Sequence, residues 1–310
     1  MSTQYENNES AVLCELYDNY SFELSDFQKR ACEAIVSGNH ALICAPTGSG
    51  KTLPAEVAIR HICQQKMKVI YTTPIKALSN QKYNDLTRLF PDLNIGILTG
   101  DIKFNPEADV IIMTTEILRN TLFKRKMISA AGAEGITEAV EKLLHFNIDF
   151  DTELGAVIFD EVHYINDPDR GHIWEESIML LPQHVQMVML SATLDNPMRF
   201  ATWIESVRRN SLKRVYLCET NTRAVPLTHY GYVTHREKTV EHMKNKESRF
   251  MMEKYGNEFL DLSSEMNFHR IANIKNIVDN NERVSVRRKF VMNSLLQELS
   301  QKDMLPAICF

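Results

Sequence analysis

Short apolar or β-branched runs alternate along the chain with segments of helical periodicity. Ala41 to Cys44, Lys68 to Thr73, Asn94 to Leu98 and Asp109 to Met113 each read as a strand, and Gly155 to Phe159 reads as the most buried of the set. Residues 186–190 and 214–218 complete the series. Between them, apolar positions recur at helical spacing through Phe27, Ala31, Ala34, Ile35 and Val36, with Ser25 or Asp26 as N-cap, then through 56–62, 76–83 and 197–206. Strand followed by helix, repeated, predicts an α/β fold: a mostly parallel sheet with helices on both faces. Such sheets bind ligands at the carboxyl ends of their strands, which places Thr73-Pro74, Thr99-Gly100 and Thr114-Thr115 at candidate positions.

The rhythm breaks in five places. Residues 1–20 are polar and form a lead-in. Residues 124–150 read as an insertion that opens on Lys124-Arg125-Lys126, a basic triplet that either touches a nucleic-acid backbone or is a solvated face. Residues 225–233 alternate like a strand leaving the first domain, which is bounded at 21–233. From 234 to 303 the composition is charged, Met-rich and helical, a linker whose function the residues do not disclose. Residues 304–310 resemble a strand that starts a second domain, so the chain is expected to be a fragment.

Composition narrows the class. Across 310 residues the hydrophobic fraction is 44% and the charged fraction 24%, ordinary for a globular protein. Six cysteines are scattered without a C-x-x-C pair and suit a reducing compartment. Neither a signal peptide nor a membrane-spanning run is apparent, so an intracellular location, cytoplasm or nucleus, is expected. A formal net charge of −5 argues against bulk-charge coating of nucleic acid, so such contacts would be local.

Two motifs carry chemistry. Ala45-Pro46-Thr47-Gly48-Ser49-Gly50-Lys51-Thr52 lies between a strand and a helix. A loop of this kind aims backbone N–H groups and a helix N-terminus at a polyphosphate. Lys51 would reach the β and γ phosphates of ATP, and the Thr52 hydroxyl would ligate Mg2+. A strand-to-helix turn without a ligand is the competing reading. The second motif, Asp160-Glu161-Val162-His163, ends the most buried strand. Its first carboxylate can hold magnesium and its second can orient the attacking water, with His163 turned toward the neighbouring motif. An exposed acidic strand end is the bland alternative, and no H-E-x-x-H spacing supports a zinc hydrolase. Gln28, just upstream of the loop, carries an amide suited to an adenine edge.

These motifs, in this order, resemble superfamily 2 helicases. Ala45, where the general phosphate-loop pattern has glycine, is the form that superfamily uses. The tract Phe159 to Asp167, with Asp169-Arg170-Gly171, Trp174-Glu175-Glu176 and Leu180-Leu181-Pro182, resembles the superkiller-type DExH-box RNA helicases that feed exosomes. So do Leu190 to Asn196 and Pro226 to Tyr230. The resemblance implies a RecA-like P-loop NTPase domain and an ATP-dependent RNA helicase or translocase. By position it makes Phe22 and Gln28 the adenine contacts, and it gathers Thr47 to Thr52, Asp160, Glu161 and His163 at the ATP and Mg2+ site. Thr73, Pro74, Lys76, Thr99, Gly100, Asp101, Thr114, Thr115 and Glu116 would grip single-stranded RNA by its backbone, and Ser191 and Thr193 would couple the two sites. A ribonuclease complex is the implied partner, and no membrane. A DNA helicase of the same superfamily and a non-catalytic nucleic-acid-binding scaffold are the alternatives. Without a second domain to supply an arginine, the fragment alone is expected to hydrolyse ATP negligibly.

Overall fold

The computed structural model describes Leu13, Tyr17 and residues 20–131, 148–192, 194–223, 228–235, 240–280 and 288–302. It divides into two compact units, one ending at Ala224 and one beginning at Val225.

In the first unit the elements follow as α1 (Asp26–Val36), β1 (His40–Cys44), α2 (Leu53–Gln64), β2 (Lys68–Thr73), α3 (Lys76–Leu89), β3 (Ile95–Leu98), β4 (Lys103–Phe104) and β5 (Val110–Thr114). Then come α4 (Thr115–Ala131), β6 (Leu154–Phe159), a 3-10 turn (Val162–Asn166), α5 (Gly171–Leu180), β7 (Gln186–Ser191), α6 (Pro197–Val207) and β8 (Val215–Glu219). They build one sheet in the order β4-β3-β5-β2-β6-β7-β1-β8, parallel throughout except for β4 against β3. Strands β1, β5 and β7 are buried at every position, as their unbroken apolar runs require of a sheet covered on both faces. One face packs Ile35, Ile43, Ile59, Tyr71 and Ile158 under α1, α2 and α3, and the other packs Leu42, Met113, Phe159 and Trp174 under α4, α5 and α6. The mostly parallel sheet expected from the alternation is present, with β4 added. Lys103 and Phe104 are both exposed, so no periodicity announced that strand.

The basic triplet Lys124-Arg125-Lys126 lies on α4, which carries the fold's own periodicity into the region expected to be an excursion. Arg125 pairs with Asp151 and sits 5.4 Å from the Phe150 ring centroid. Residues 132–147 of that region lie outside the described residues.

The second unit has its own small core of Val240, Met252 and Ile274. The alternating stretch at 225–233 yields β9 (Tyr230–Tyr232), paired antiparallel with β10 (Phe259–Asp261) inside this unit. Helices α7 (Lys246–Tyr255), α8 (Glu265–Asp279) and α9 (Arg288–Gln301) make up the remainder. Residues 303–310, where a strand was expected, lie outside the described residues. Among the described residues no helix is long and apolar enough to cross a membrane.

Within the sheet one buried group makes the fold sensitive to acid. His40 in β1 accepts the Met187 N–H at its Nδ1, at 3.0 Å, and its Nε2 is buried without a partner among the described residues. Burial, with the nearby Arg208 and Lys213 cations, pushes its pKa down from 6.5 to about 3. Between those values the unfolded chain takes up a proton that the folded chain refuses, so stability is full above pH 6.5 and is lost as pH falls. The loss attributable to this group is about 2 kcal/mol by pH 5. Melting temperatures from pH 7 to 5 should therefore fall less steeply for His40→Gln than for the unsubstituted chain. Parallel curves would place the acid sensitivity elsewhere.

Candidate functional site

The loop between β1 and α2 is held in shape by its own bonds. Ser49 Oγ donates to Pro46 O at 2.7 Å, while Gly48 and Gly50 take φ of 83° and 81°, a region costly for residues with a Cβ. Ala45 is fully buried under the loop in the core beneath α1 and α2. Thr52 stands at the N-cap position of α2 without a side-chain capping bond, and Pro54 occupies the first helical turn, where a missing N–H costs nothing.

Gln28 grips the loop directly. Its Nε2 donates to Gly50 O at 3.0 Å, and its Oε1 accepts from Ser25 N and Oγ, both at 2.9 Å. The amide expected to read adenine fastens this loop to the N-terminus of α1. A Cβ on Gly50 would lie 2.6 Å from Gln28 Nε2. Gly50→Ala should therefore cost about 1–2 kcal/mol of stability through its φ. It should also lower nucleotide affinity by tenfold or more as the loop shifts, measured by titration with a fluorescent ADP. Unchanged affinity would show that the loop tolerates the displacement.

Phe22, Gln28, Gly48, Ser49, Gly50 and Thr52 line one open pocket of about 500 Å3, so the residues assigned to base and phosphates share a wall. Phe22 is exposed at its mouth, its ring 5.6 Å from that of Tyr20. Thr47 is exposed at the loop tip.

Opposite the loop, β6 delivers its two carboxylates to different surroundings. Asp160 is buried, and Glu161 stands at φ 50°, ψ 48°, a left-handed conformation unusual for a residue with a side chain. Lys51 Nζ lies 3.0 Å and 3.3 Å from the two Glu161 carboxylate oxygens, joining the two motifs across the end of β7. Asp160 Oδ1 accepts the Glu161 N–H at 3.0 Å, and Oδ2 accepts from Tyr71 Oη at 2.8 Å with Lys82 Nζ 3.9 Å away. Burial raises the Asp160 pKa against the opposing pull of Lys82, and burial together with Asp160 drives that of Tyr71 well up. Tyr71 and Lys82 are site residues that sequence reasoning did not assign. His163 Nδ1 lies 3.4 Å from Ala192 N and 3.3 Å from Glu161 Oε2, so it touches both the carboxylate and the end of β7.

No group of three or more His, Cys, Asp or Glu able to hold a metal occurs among the described residues. The hydroxyl of Thr52 and the carboxylate of Asp160 are hard oxygen donors. They suit Mg2+, which takes one or two protein ligands and completes its shell from phosphates and water.

The strand-end loops form a second cluster. Thr73 Oγ1 is 2.7 Å from Ser79 Oγ and donates to Ile75 O at 3.1 Å, and Thr115 Oγ1 donates to Thr73 O at 3.3 Å. Both threonines are fully buried and their hydroxyls brace the loops; Thr114 is buried too. Lys76 Nζ and Asp101 Oδ2 make an exposed pair at 2.5 Å, beside Gly100. Thr99 Oγ1 accepts the Ile102 N–H at 3.2 Å and closes the β3–β4 turn. Glu116 pairs with Arg170, whose Nη2 also donates to Pro74 O at 2.6 Å. Ser191 is buried with its Oγ unpartnered among the described residues, and Thr193 lies outside them.

Residues 25–200 match the family model described as DEAD/DEAH box helicase. Antiviral helicase SKI2 of Saccharomyces cerevisiae is 45% identical over 67% of this chain and 14% of its own length. Superkiller complex protein 2 of Homo sapiens is 41% identical over 71% of this chain and 16% of its own. The chloroplastic DExH-box ATP-dependent RNA helicase DExH15 of Arabidopsis thaliana is 34% identical over 96% of this chain and 25% of its own. The chain thus spans a quarter or less of these curated relatives. Among solved structures, the Mycobacterium smegmatis helicase Lhr bound to ssDNA and AMP-PNP is similar, with a TM-score of 0.51 and 25% identity over 79% of this chain and 32% of that one. The DUF1998 helicase MrfA bound to DNA shares the fold at a TM-score of 0.51 and 19% identity, over 67% of this chain and 29% of its own. With its parallel sheet, the first unit has the RecA-like helicase fold. The chain therefore belongs to the DEAD/DEAH box helicase family and, within it, to the superkiller-type group.

Proposed function

We propose that this chain carries the ATP- and Mg2+-binding motor domain of an RNA helicase that couples hydrolysis to movement along single-stranded RNA. The observation that carries the reading is Lys51 facing Glu161, with Asp160 beside them. A polyphosphate on the loop competes with Glu161 for the Lys51 ammonium, so binding the nucleotide releases the carboxylate to accept the proton of an attacking water. Mg2+, held by Thr52 and Asp160, would neutralise charge on the phosphates. Phe22 and Gln28 would hold the base, and His163, touching both Glu161 and Ala192, would report nucleotide state to the end of β7. A scaffold has no need to keep Lys51, Asp160 and Glu161 in mutual reach.

RNA is favoured because the relatives include one named an ATP-dependent RNA helicase and the superkiller proteins. The solved Lhr structure, bound to ssDNA, supports DNA as the second reading. The superkiller likeness also suggests an intracellular ribonuclease complex as partner. Binding of a 20-nucleotide oligouridylate and its deoxy counterpart, each with Mg2+ and AMP-PNP, tests the substrate. Tighter RNA binding is expected, and a preference for the deoxy strand would transfer the assignment to DNA.

A further inference from the structure

We infer that Arg170 is a positioning residue that fastens the strand-end loops to the carboxylate turn, so that the Pro74 loop, the start of α4 and the tract after Asp160-Glu161 move as one body.

The inference rests on the proposed function and on four contacts. Arg170 Nη2 donates to the Pro74 carbonyl at 2.6 Å and also pairs with the Glu116 carboxylate. Its guanidinium carbon lies over the buried Trp174 ring, 5.9 Å from the centroid. Its own backbone N–H donates to Asp167 Oδ1 at 2.9 Å, and Asp167 N in turn donates to Tyr164 O at 2.9 Å, at the end of the 3-10 turn that starts from Glu161. Tyr164 stacks on Trp174, with ring centroids 5.8 Å apart. Residues 74, 116 and 170 are far apart in sequence, and each sits at the start of a different segment. One side chain therefore closes a circuit between loops assigned to the RNA strand and the turn that presents Glu161 and His163.

Arginine suits this task and lysine does not. A planar fork with several donors can serve a carbonyl and a carboxylate together, whereas one ammonium on a flexible stem holds a single fixed geometry poorly. Arg170 and Glu116 are each about one-third exposed, so the clamp lies near the surface where a bound strand would feel it. The bond to Pro74 lies two residues before Lys76, whose Nζ pairs with Asp101. Loss of the clamp would free the loop that aims that lysine.

The test compares the unsubstituted chain with Arg170→Ala, Arg170→Lys, Glu116→Gln and the Ala/Gln double variant. Three quantities are read: affinity for a fluorescent 20-nucleotide oligouridylate, affinity for a fluorescent ADP with Mg2+, and melting temperature. Arg170→Ala should weaken oligouridylate binding by about tenfold, the effect of one charge-assisted hydrogen bond, with ADP affinity changed less than about twofold. Arg170→Lys should fall between. The double variant should lose less than the product of the single losses, because both single variants open the same circuit. If Arg170→Ala lowers both affinities and the melting temperature together, the residue merely supports the fold and the positioning role is overturned. Unchanged oligouridylate affinity in Arg170→Ala and Glu116→Gln overturns it as well. Failure of the unsubstituted chain to bind oligouridylate while binding ADP overturns the RNA reading and this inference with it.

Discussion

Lys51→Ala should abolish nucleotide binding while leaving the fold standing. The ammonium reaches from the start of α2 to Glu161, so its removal takes away the expected phosphate contact and one ion pair with a partly exposed carboxylate. A lysine meeting two phosphates supplies more than one charge-assisted bond, and a loss of about 100-fold or more in affinity for ADP or ATP is expected. The cost in stability should stay near 1 kcal/mol, because Glu161 is partly exposed and retains His163 beside it. Titration with a fluorescent nucleotide and a thermal melt without nucleotide separate the two effects. A large fall in melting temperature would make Lys51 a structural residue.

Glu161→Gln should give the opposite pairing, with binding kept and hydrolysis lost. An amide matches the carboxylate in size and backbone demand, including the left-handed conformation, but it cannot take a proton from water. In the intact protein, turnover should fall by about 10² to 10⁴. Nucleotide affinity should hold or rise, since the amide is a weaker competitor than a carboxylate for the Lys51 ammonium. Quench-flow measurement of ATP cleavage beside an equilibrium titration checks both halves. Undiminished cleavage would remove Glu161 from the proton transfer.

The sheet was legible because its strands are short, apolar and separated by helices with clear periodicity. Leu42-Ile43 and Val157-Ile158 could belong to little but strands buried on both faces. The loop proposed to hold phosphate stood out for a different reason: that chemistry demands glycine, lysine and threonine at fixed neighbouring positions, which a linear reading sees. Partners distant in sequence were not legible. Tyr71 looked like one more apolar strand residue, and only the fold brings its phenol to Asp160, 89 positions later. Lys82 was one unremarked position in the helical stretch 76–83, and Arg170 part of a family tract. Thr73 and Thr115 were assigned to the nucleic-acid strand by position alone, and only the fold reveals that their hydroxyls bond Ile75 O and Thr73 O within the strand-end loops. Gln28 was read for one partner and has several.

Strand β7 lies between β1 and β6, so the loop and the carboxylates hang from strands that are not neighbours. Two inter-strand steps set their bases roughly 9–10 Å apart. That span is fixed by backbone pairing and does not depend on any side chain at the site. The two longest reaches available, a lysine and a glutamate, close it by meeting tip to tip. The sheet thus works as a gauge block: the separation between the bases of the two motifs cannot change without re-ordering the strands.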